Sequence, residues 1–209
     1  KETDLLTLIR ARFRPFFGMA DTELVERLEI PKSKSSAARV TNRILGVGDA
    51  DHILEFEKAG IKSKTMKLRM NGMPIEALSF PSFDYFELEK RPFEESDFLG
   101  YLQRMYLFVI YRMDDHGVQR LTDVCFWQMP DKDLSEARRC YEQMQKNVRE
   151  GRADKSVRSN ENRCCHVRPH AQRRSDTRPQ PHGAPTTKKS FWLNQGYLKT
   201  EIERVLKQQ

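Results

Sequence analysis

The sequence predicts an α/β chain in which a mixed sheet is flanked by helices, and three observations carry that prediction. Segments whose apolar residues recur with the helical period alternate along the chain with short β-branched or aromatic runs. One run, Tyr106-Leu107-Phe108-Val109-Ile110-Tyr111, is apolar throughout, the pattern of a strand covered on both faces. Between the segments stand turn formers: Gly46, Gly60, Asn71-Gly72, Asp114-Asp115-His116-Gly117 and Pro130. A chain of 209 residues, 38% hydrophobic and 32% charged, has enough length for one large domain or two small lobes with a real core.

Taken in order, residues 3–17 form an amphipathic helix with Leu5, Leu6, Leu8, Ile9 and Phe13 expected inward, Arg10, Arg12 and Arg14 outward, and a stop at Pro15. Asp21 is expected to cap a second helix through Leu28, and Lys32-Ser33-Lys34-Ser35-Ser36 links it to a third that ends at Gly46. Asp51 then caps a short helix with Ile53, Leu54 and Phe56 on its apolar face and Gly60 at its end. A strand follows from Ile61 to Met70, and Asn71-Gly72 turns the chain into a return strand from Ile75 to Phe80. Phe80 to Phe86 reads as aromatic core, and Glu94, Glu95 and Asp97 open a helix that buries Phe98, Leu99 and Leu102. Met105 to Arg112 is the buried central strand, turned by Asp114 to Gly117 into an antiparallel strand from Leu121 to Met129. A long helix occupies residues 131–149, with Leu134, Ala137, Arg138, Tyr141, Met144 and Val148 in phase. Residues 150–162 are a polar loop expected to be mobile, Arg163 to Arg168 a short strand, and Gly196 to Leu206 a closing amphipathic helix.

Composition narrows the function. No apolar run reaches the length of a membrane span, and Lys1-Glu2-Thr3-Asp4 is no signal peptide. A start without methionine suggests a fragment. Cys125, Cys140, Cys164 and Cys165 have neither metal spacing nor the pattern of a secreted framework, so reduced thiols in a cytosol are expected. Zinc is not expected at Cys164, Cys165, His166, His170 and His182, since adjacent strand cysteines face opposite ways. The charge is lopsided: residues 1–150 hold 24 Lys or Arg against 25 Asp or Glu, whereas residues 151–209 hold 13 against 5. A polyanion, double-stranded DNA in the first instance, is expected at the C-terminal part.

Two stretches give that expectation a chemistry. In the first, Glu55 at a helix end is followed by Lys62 and Lys64 on a strand. An acid, six residues, a second acid, one residue and a lysine is the layout of a Mg²⁺-dependent nuclease, with two carboxylates on the metal and the lysine near the attacked phosphate. The stretch resembles the MutH mismatch-repair endonuclease and its Sau-three-AI-type restriction-enzyme relatives, with Lys62 where the second acid stands and Asn42 where a further glutamate does. An ammonium about 4 Å from a divalent cation is repelled by on the order of 8 kcal/mol at an effective dielectric near 20. No catalysis and no metal site are therefore expected at Asn42, Glu55, Lys62 and Lys64.

In the second stretch, about residues 163–193, Arg168-Pro169-His170 opens a proline-limited, arginine-rich loop that returns to Thr187-Lys188-Lys189-Ser190-Phe191-Trp192-Leu193-Asn194. Arginines there can read guanine O6 and N7 bidentately, and lysines can neutralise phosphate. This region resembles the same family independently, through its Arg-Pro pair and its Lys-Lys pair before a phenylalanine, and lies nearer the Sau-three-AI branch. The resemblance implies DNA contacts by Arg168, Pro169, His170, Arg173, Arg174, Arg178, Lys188 and Lys189. It places His170 and Thr186 where MutH has a base-contacting lysine and a DNA-contacting tyrosine.

The family resemblance implies a restriction-endonuclease-type (MutH-type) domain over residues 1–209, two lobes around a DNA cleft. It also implies the C-terminal, catalytically incomplete half of a type II restriction endonuclease. Such a domain binds GATC as an allosteric effector of an N-terminal catalytic domain in the same chain. It needs no cofactor of its own, while the parent enzyme uses Mg²⁺, and it resides in a prokaryotic cytoplasm with no membrane contact. Two alternatives stand beside it: an active Mg²⁺-dependent nuclease with Glu76 or Glu57 as a displaced acid, and a dimerisation module, a dimer on DNA being compatible with the first reading.

Overall fold

A computed structural model of the chain describes residues 2–33, 35–47, 56, 59–170, 173 and 175–208. In chain order its elements are α1 (Glu2–Phe13), α2 (Asp21–Arg27), α3 (Ser36–Leu45), β1 (Ile61–Leu68), β2 (Leu78–Ser82), α4 (Tyr85–Lys90), α5 (Asp97–Leu102), β3 (Met105–Met113), β4 (Gln119–Trp127), α6 (Asp131–Arg149), β5 (Cys165–Pro169), β6 (Thr177–Gln180), β7 (Gly183–Thr187), β8 (Lys189–Leu193) and α7 (Gln195–Lys207). The architecture is mixed α/β, as expected. The chain divides into two compact units, one formed by Lys1–Glu76, Arg104–Gln128 and Lys199–Gln209, the other by Ala77–Gln103 and Met129–Leu198. No helix among the described residues is long and apolar enough to cross a membrane.

In the first unit the sheet order is β1-β3-β4, with β1 parallel and β4 antiparallel to β3. The all-apolar run is the central strand, and both its faces are covered. Leu107, Val109 and Tyr111 pack in one core with Ile9, Phe13, Leu24, Val40 and Ile44 from α1, α2 and α3. On the alternate positions, Phe108 stacks on Trp127, ring centroids 5.3 Å apart, and the Trp127 indole N–H donates to Glu201 of α7 at 3.1 Å.

Three expectations for this unit change. Leu8 is 65% exposed, because the stripe of α1 that meets the core runs through Ile9 and Phe13 one residue further on. Asp21 is the first helical residue and not the cap: Glu23 accepts from the Ala20 N–H at 2.7 Å, and Asp21 is free to pair with Lys67 at 2.7 Å. The turn at Asn71-Gly72 forms, with Gly72 at a φ of 78°, but only the Leu68–Pro74 bridge follows it. The ladder stops after the Ile75 N–H bonds to the Lys67 carbonyl at 2.8 Å, and the return strand is β2, which begins at Leu78 and joins the sheet of the second unit. Of the helix expected from Asp51 to Gly60, Phe56 is described and buried in the core of the first unit, and Asp51, Ile53, Leu54, Glu55 and Glu57 lie outside the described residues.

The second unit holds a sheet of order β2-β8-β5, antiparallel throughout, and a separate ribbon β6-β7. Phe191 at its centre stacks on Phe98 of α5 at 4.2 Å and on Tyr141 of α6 at 5.7 Å. The aromatic stretch from Phe80 is core, as expected, except that Phe86 is 41% exposed. Helix α6 has the predicted bounds.

The loop expected to be mobile is packed instead. Ala153 and Val157 are buried, Val157 accepts a hydrogen bond from the Val167 N–H at 2.8 Å, and the Asn162 side chain accepts from the N–H groups of Cys164 and Cys165. The expected arginine loop contains the ribbon, with Thr177 opposite Thr187 and Arg178 opposite Thr186. All four cysteines are free and buried.

Candidate nucleic-acid interface

The register of β5 against β8 sorts this region into two faces. Directly opposed residues share a face, so Cys165, Val167, Pro169, Lys189, Phe191 and Leu193 lie on one side, and His166, Arg168, Ser190 and Trp192 on the other. The first set carries the apolar core. The second set is polar and ends in exposed Arg168 and His170.

Trp192 organises that second face. The Arg168 guanidinium carbon lies 3.7 Å from the centroid of its ring, the His170 ring meets it edge-on at 5.2 Å, and His166 lies along it at 6.3 Å. His170 is fixed further by its N–H to the Lys188 carbonyl at 2.8 Å and by a 2.9 Å hydrogen bond between Nδ1 and the Ser190 hydroxyl. His166 Nδ1 lies 2.6 Å from Asn194 Oδ1. Burial, and then the Arg168 charge, push the His166 pKa down, against the lift of that hydrogen bond, which favours a neutral ring donating to Asn194.

The other expected residues divide. Arg173 is exposed, and its N–H donates to Asp176. Arg178, on β6, is half-buried and donates to the Phe83 carbonyl at 3.0 Å. Lys188 is half-buried, its N–H bonded to the Asp176 carbonyl at 3.0 Å. Arg174 lies outside the described residues. Lys189 corrects the expectation of a phosphate contact: it is 2% exposed and its ammonium donates to the Ala153 and Asp154 carbonyls, both at 2.7 Å. Burial lowers its pKa to about 8. Lys189 falls on the inward face because it is paired with Pro169, and it ties the 153–154 backbone to the sheet.

Sequence reading passed over Trp192 as a partner of Arg168. The signal was present, since residues offset by two across an antiparallel pair are neighbours for long side chains, but it required the register.

The first motif lies in the other unit. Asn42 is buried in α3, which packs against β1. Lys62 and Lys64, opposite Tyr106 and Phe108 of β3, share one face of β1. Burial, reinforced by the Lys62 charge, holds the Lys64 pKa below the ordinary lysine value. Glu55, the acid of that motif, lies outside the described residues. Among the described residues, no group of three His, Cys, Asp or Glu side chains is placed to hold a metal ion. Glu76 is described and exposed.

No protein-family model matches the chain. It is 26% identical, over an alignment of 259 residues, to the type II restriction enzyme Sau3AI of Staphylococcus aureus. That alignment covers 99% of this chain and 53% of the enzyme, so the chain spans about half the length of the relative it matches. The resemblance carried by Arg168-Pro169 and Lys188-Lys189 is thus one part of a similarity to a type II restriction enzyme that runs through nearly the whole chain.

Proposed function

We propose that this chain is a sequence-specific, non-catalytic DNA-binding domain of the restriction-endonuclease type, reading GATC as an effector for a catalytic domain in the same longer protein. The observation that carries the reading is the exposed end of the β5-β8 pair. There Arg168 and His170 stand on Trp192, in a segment (residues 163–189) with seven Lys or Arg against one Asp. An arginine held at a strand end offers the bidentate donor pair that guanine O6 and N7 accept. Half the length of the Sau3AI relative lies outside the alignment, which leaves room for a separate domain to do the chemistry. Lys62 beside Lys64 supports the non-catalytic part, because a lysine at that position opposes the binding of a divalent cation. Mg²⁺ then belongs to the catalytic domain of the parent enzyme.

The test is a paired binding and cleavage assay of this domain on duplexes with and without one GATC site, in Mg²⁺ and in chelator. The expected result is GATC-selective, salt-sensitive binding with no cleavage in either condition. Binding indifferent to GATC overturns the sequence-reading part, and Mg²⁺-dependent cleavage overturns the non-catalytic part and favours a displaced acid such as Glu76. Self-association at the same affinity with or without DNA favours a dimerisation module.

A further inference from the structure

We propose that Trp192 is the positioning residue for Arg168: its indole face holds the guanidinium in a fixed plane at the end of β5, so that the arginine meets a base edge already oriented. This deepens the DNA-binding reading and rests on it.

The argument starts from the register. Trp192 pairs with His166, and Arg168 with Ser190, so Arg168 and Trp192 are diagonal neighbours on one face of the sheet. The guanidinium carbon sits 3.7 Å from the ring centroid, the separation of a planar stack and well inside the ~6 Å reach of a cation–π contact. The indole is itself immobilised. His170 meets it in a T-shaped contact at 5.2 Å, His166 lies along it at 6.3 Å, and both histidines are pinned by hydrogen bonds, to Ser190 and Asn194 respectively.

The indole N–H supplies no competing reason for a tryptophan here. Nε1 is buried and has no hydrogen-bond partner among the described residues, although a buried tryptophan N–H ordinarily finds one. What this side chain offers is its face, and Arg168 takes it.

An exposed arginine otherwise carries rotamer freedom that docking on DNA removes. A stacked one has already lost much of it. A guanidinium resting 3.7 Å over a ring has fewer orientations open to it, and bidentate readout requires a defined plane, so the platform favours the correct base more than it favours phosphate, which accepts from many directions.

The experiment measures affinity for a GATC duplex and for a duplex with those four bases permuted, using the intact domain and its Trp192→Leu, Trp192→Phe and Arg168→Ala variants and the double variants. Trp192→Leu is expected to weaken GATC binding on the order of threefold to thirtyfold while leaving the permuted duplex unchanged, and Trp192→Phe to fall between. In the Arg168→Ala background, replacing Trp192 is expected to cost nothing further. An equal loss on both duplexes, or full additivity with Arg168→Ala, overturns the proposal and leaves GATC reading intact. A wild-type domain without GATC preference overturns the DNA-reading proposal and this one with it. Should Trp192→Leu fail to fold, coupling between Trp192→Phe and Arg168→Lys decides by the same criterion.

Discussion

Lys188 and Lys189 are adjacent and chemically identical, yet the strand they enter sends them to different fates. Lys189, on the inward face, donates to two backbone carbonyls of the 153–154 turn. Replacing it with methionine leaves those carbonyls without a donor, and the expected loss of stability is about 2 kcal/mol after allowance for the charge no longer buried. Its pH signature has a definite sign. The folded pKa, about 8, lies below that of an unfolded lysine. Above pH 8 and up to the ordinary lysine range the unfolded chain therefore holds at this residue a proton the folded chain has released, and the contribution of Lys189 to stability rises with pH across that window. Urea unfolding between pH 7 and 10 should show the stability difference between wild type and Lys189→Met shifting in favour of the wild type as pH rises, whatever the buried cysteines contribute to both. Lys188→Ala is expected to leave stability alone and to reduce the salt slope of DNA binding by about one. The pair was legible in the sequence as basic, but which member faces inward depends on pairing with Pro169, which no local pattern reveals.

At the level of elements, the sequence was most informative where one period and clear ends agree. Helix α6 begins after Pro130 and ends before Gly151, and Ala137, Tyr141, Met144 and Val148 are buried in phase, while Arg138, expected with them, is exposed. The central strand was equally plain, because Tyr106 to Tyr111 are buried on both faces of β3 and every core position had to be apolar. The ribbon β6-β7 was hidden. Pro179 and Pro185 argue against strands, yet a two-stranded ribbon has only edges, where a missing N–H costs no ladder bond. The ribbon is held at its foot by side-chain hydrogen bonds to residues outside it. Tyr85 of α4 donates its hydroxyl to the Thr187 carbonyl at 2.6 Å, and Arg178 donates to Phe83 at 3.0 Å. Tyr85→Phe removes the first tie without emptying the core, and a loss of about 1 kcal/mol is expected. Hydrogen exchange should quicken in residues 177–187 and stay unchanged in β3. Unchanged exchange in the ribbon would mean that Arg178 and the β6-β7 pairing suffice to hold it.

Across the molecule, the chain threads its two units in a way that no single segment announces. The first unit takes residues from the start, middle and end of the sequence, and β2 meets its partner β8 only after more than half of the chain has intervened. The return strand after Asn71-Gly72 was therefore recognisable as a strand, but not as a member of another sheet. Charge, in contrast, needs no topology, and the excess in residues 151–209 was readable at once. The structure then limits what that excess can do. Lys189 is committed to backbone carbonyls and Arg163 to Asp133 at 2.6 Å, while Arg204 pairs with Glu201. The described cations of the reading segment left for DNA are Arg168, Arg173 and Lys188, with Arg178, which gives one guanidinium nitrogen to the Phe83 carbonyl, beside them; Arg174 lies outside the described residues. If Arg173, Arg174, Arg178 and Lys188 each neutralise one phosphate while Arg168 meets a base edge, the slope of log affinity against log salt should lie near −4, since each phosphate contact contributes about −0.9. Titration of a GATC duplex across sodium chloride concentrations measures it. A slope near −1 would place the interface away from residues 168–188, and one near −8 would require basic residues outside that segment to contact DNA as well.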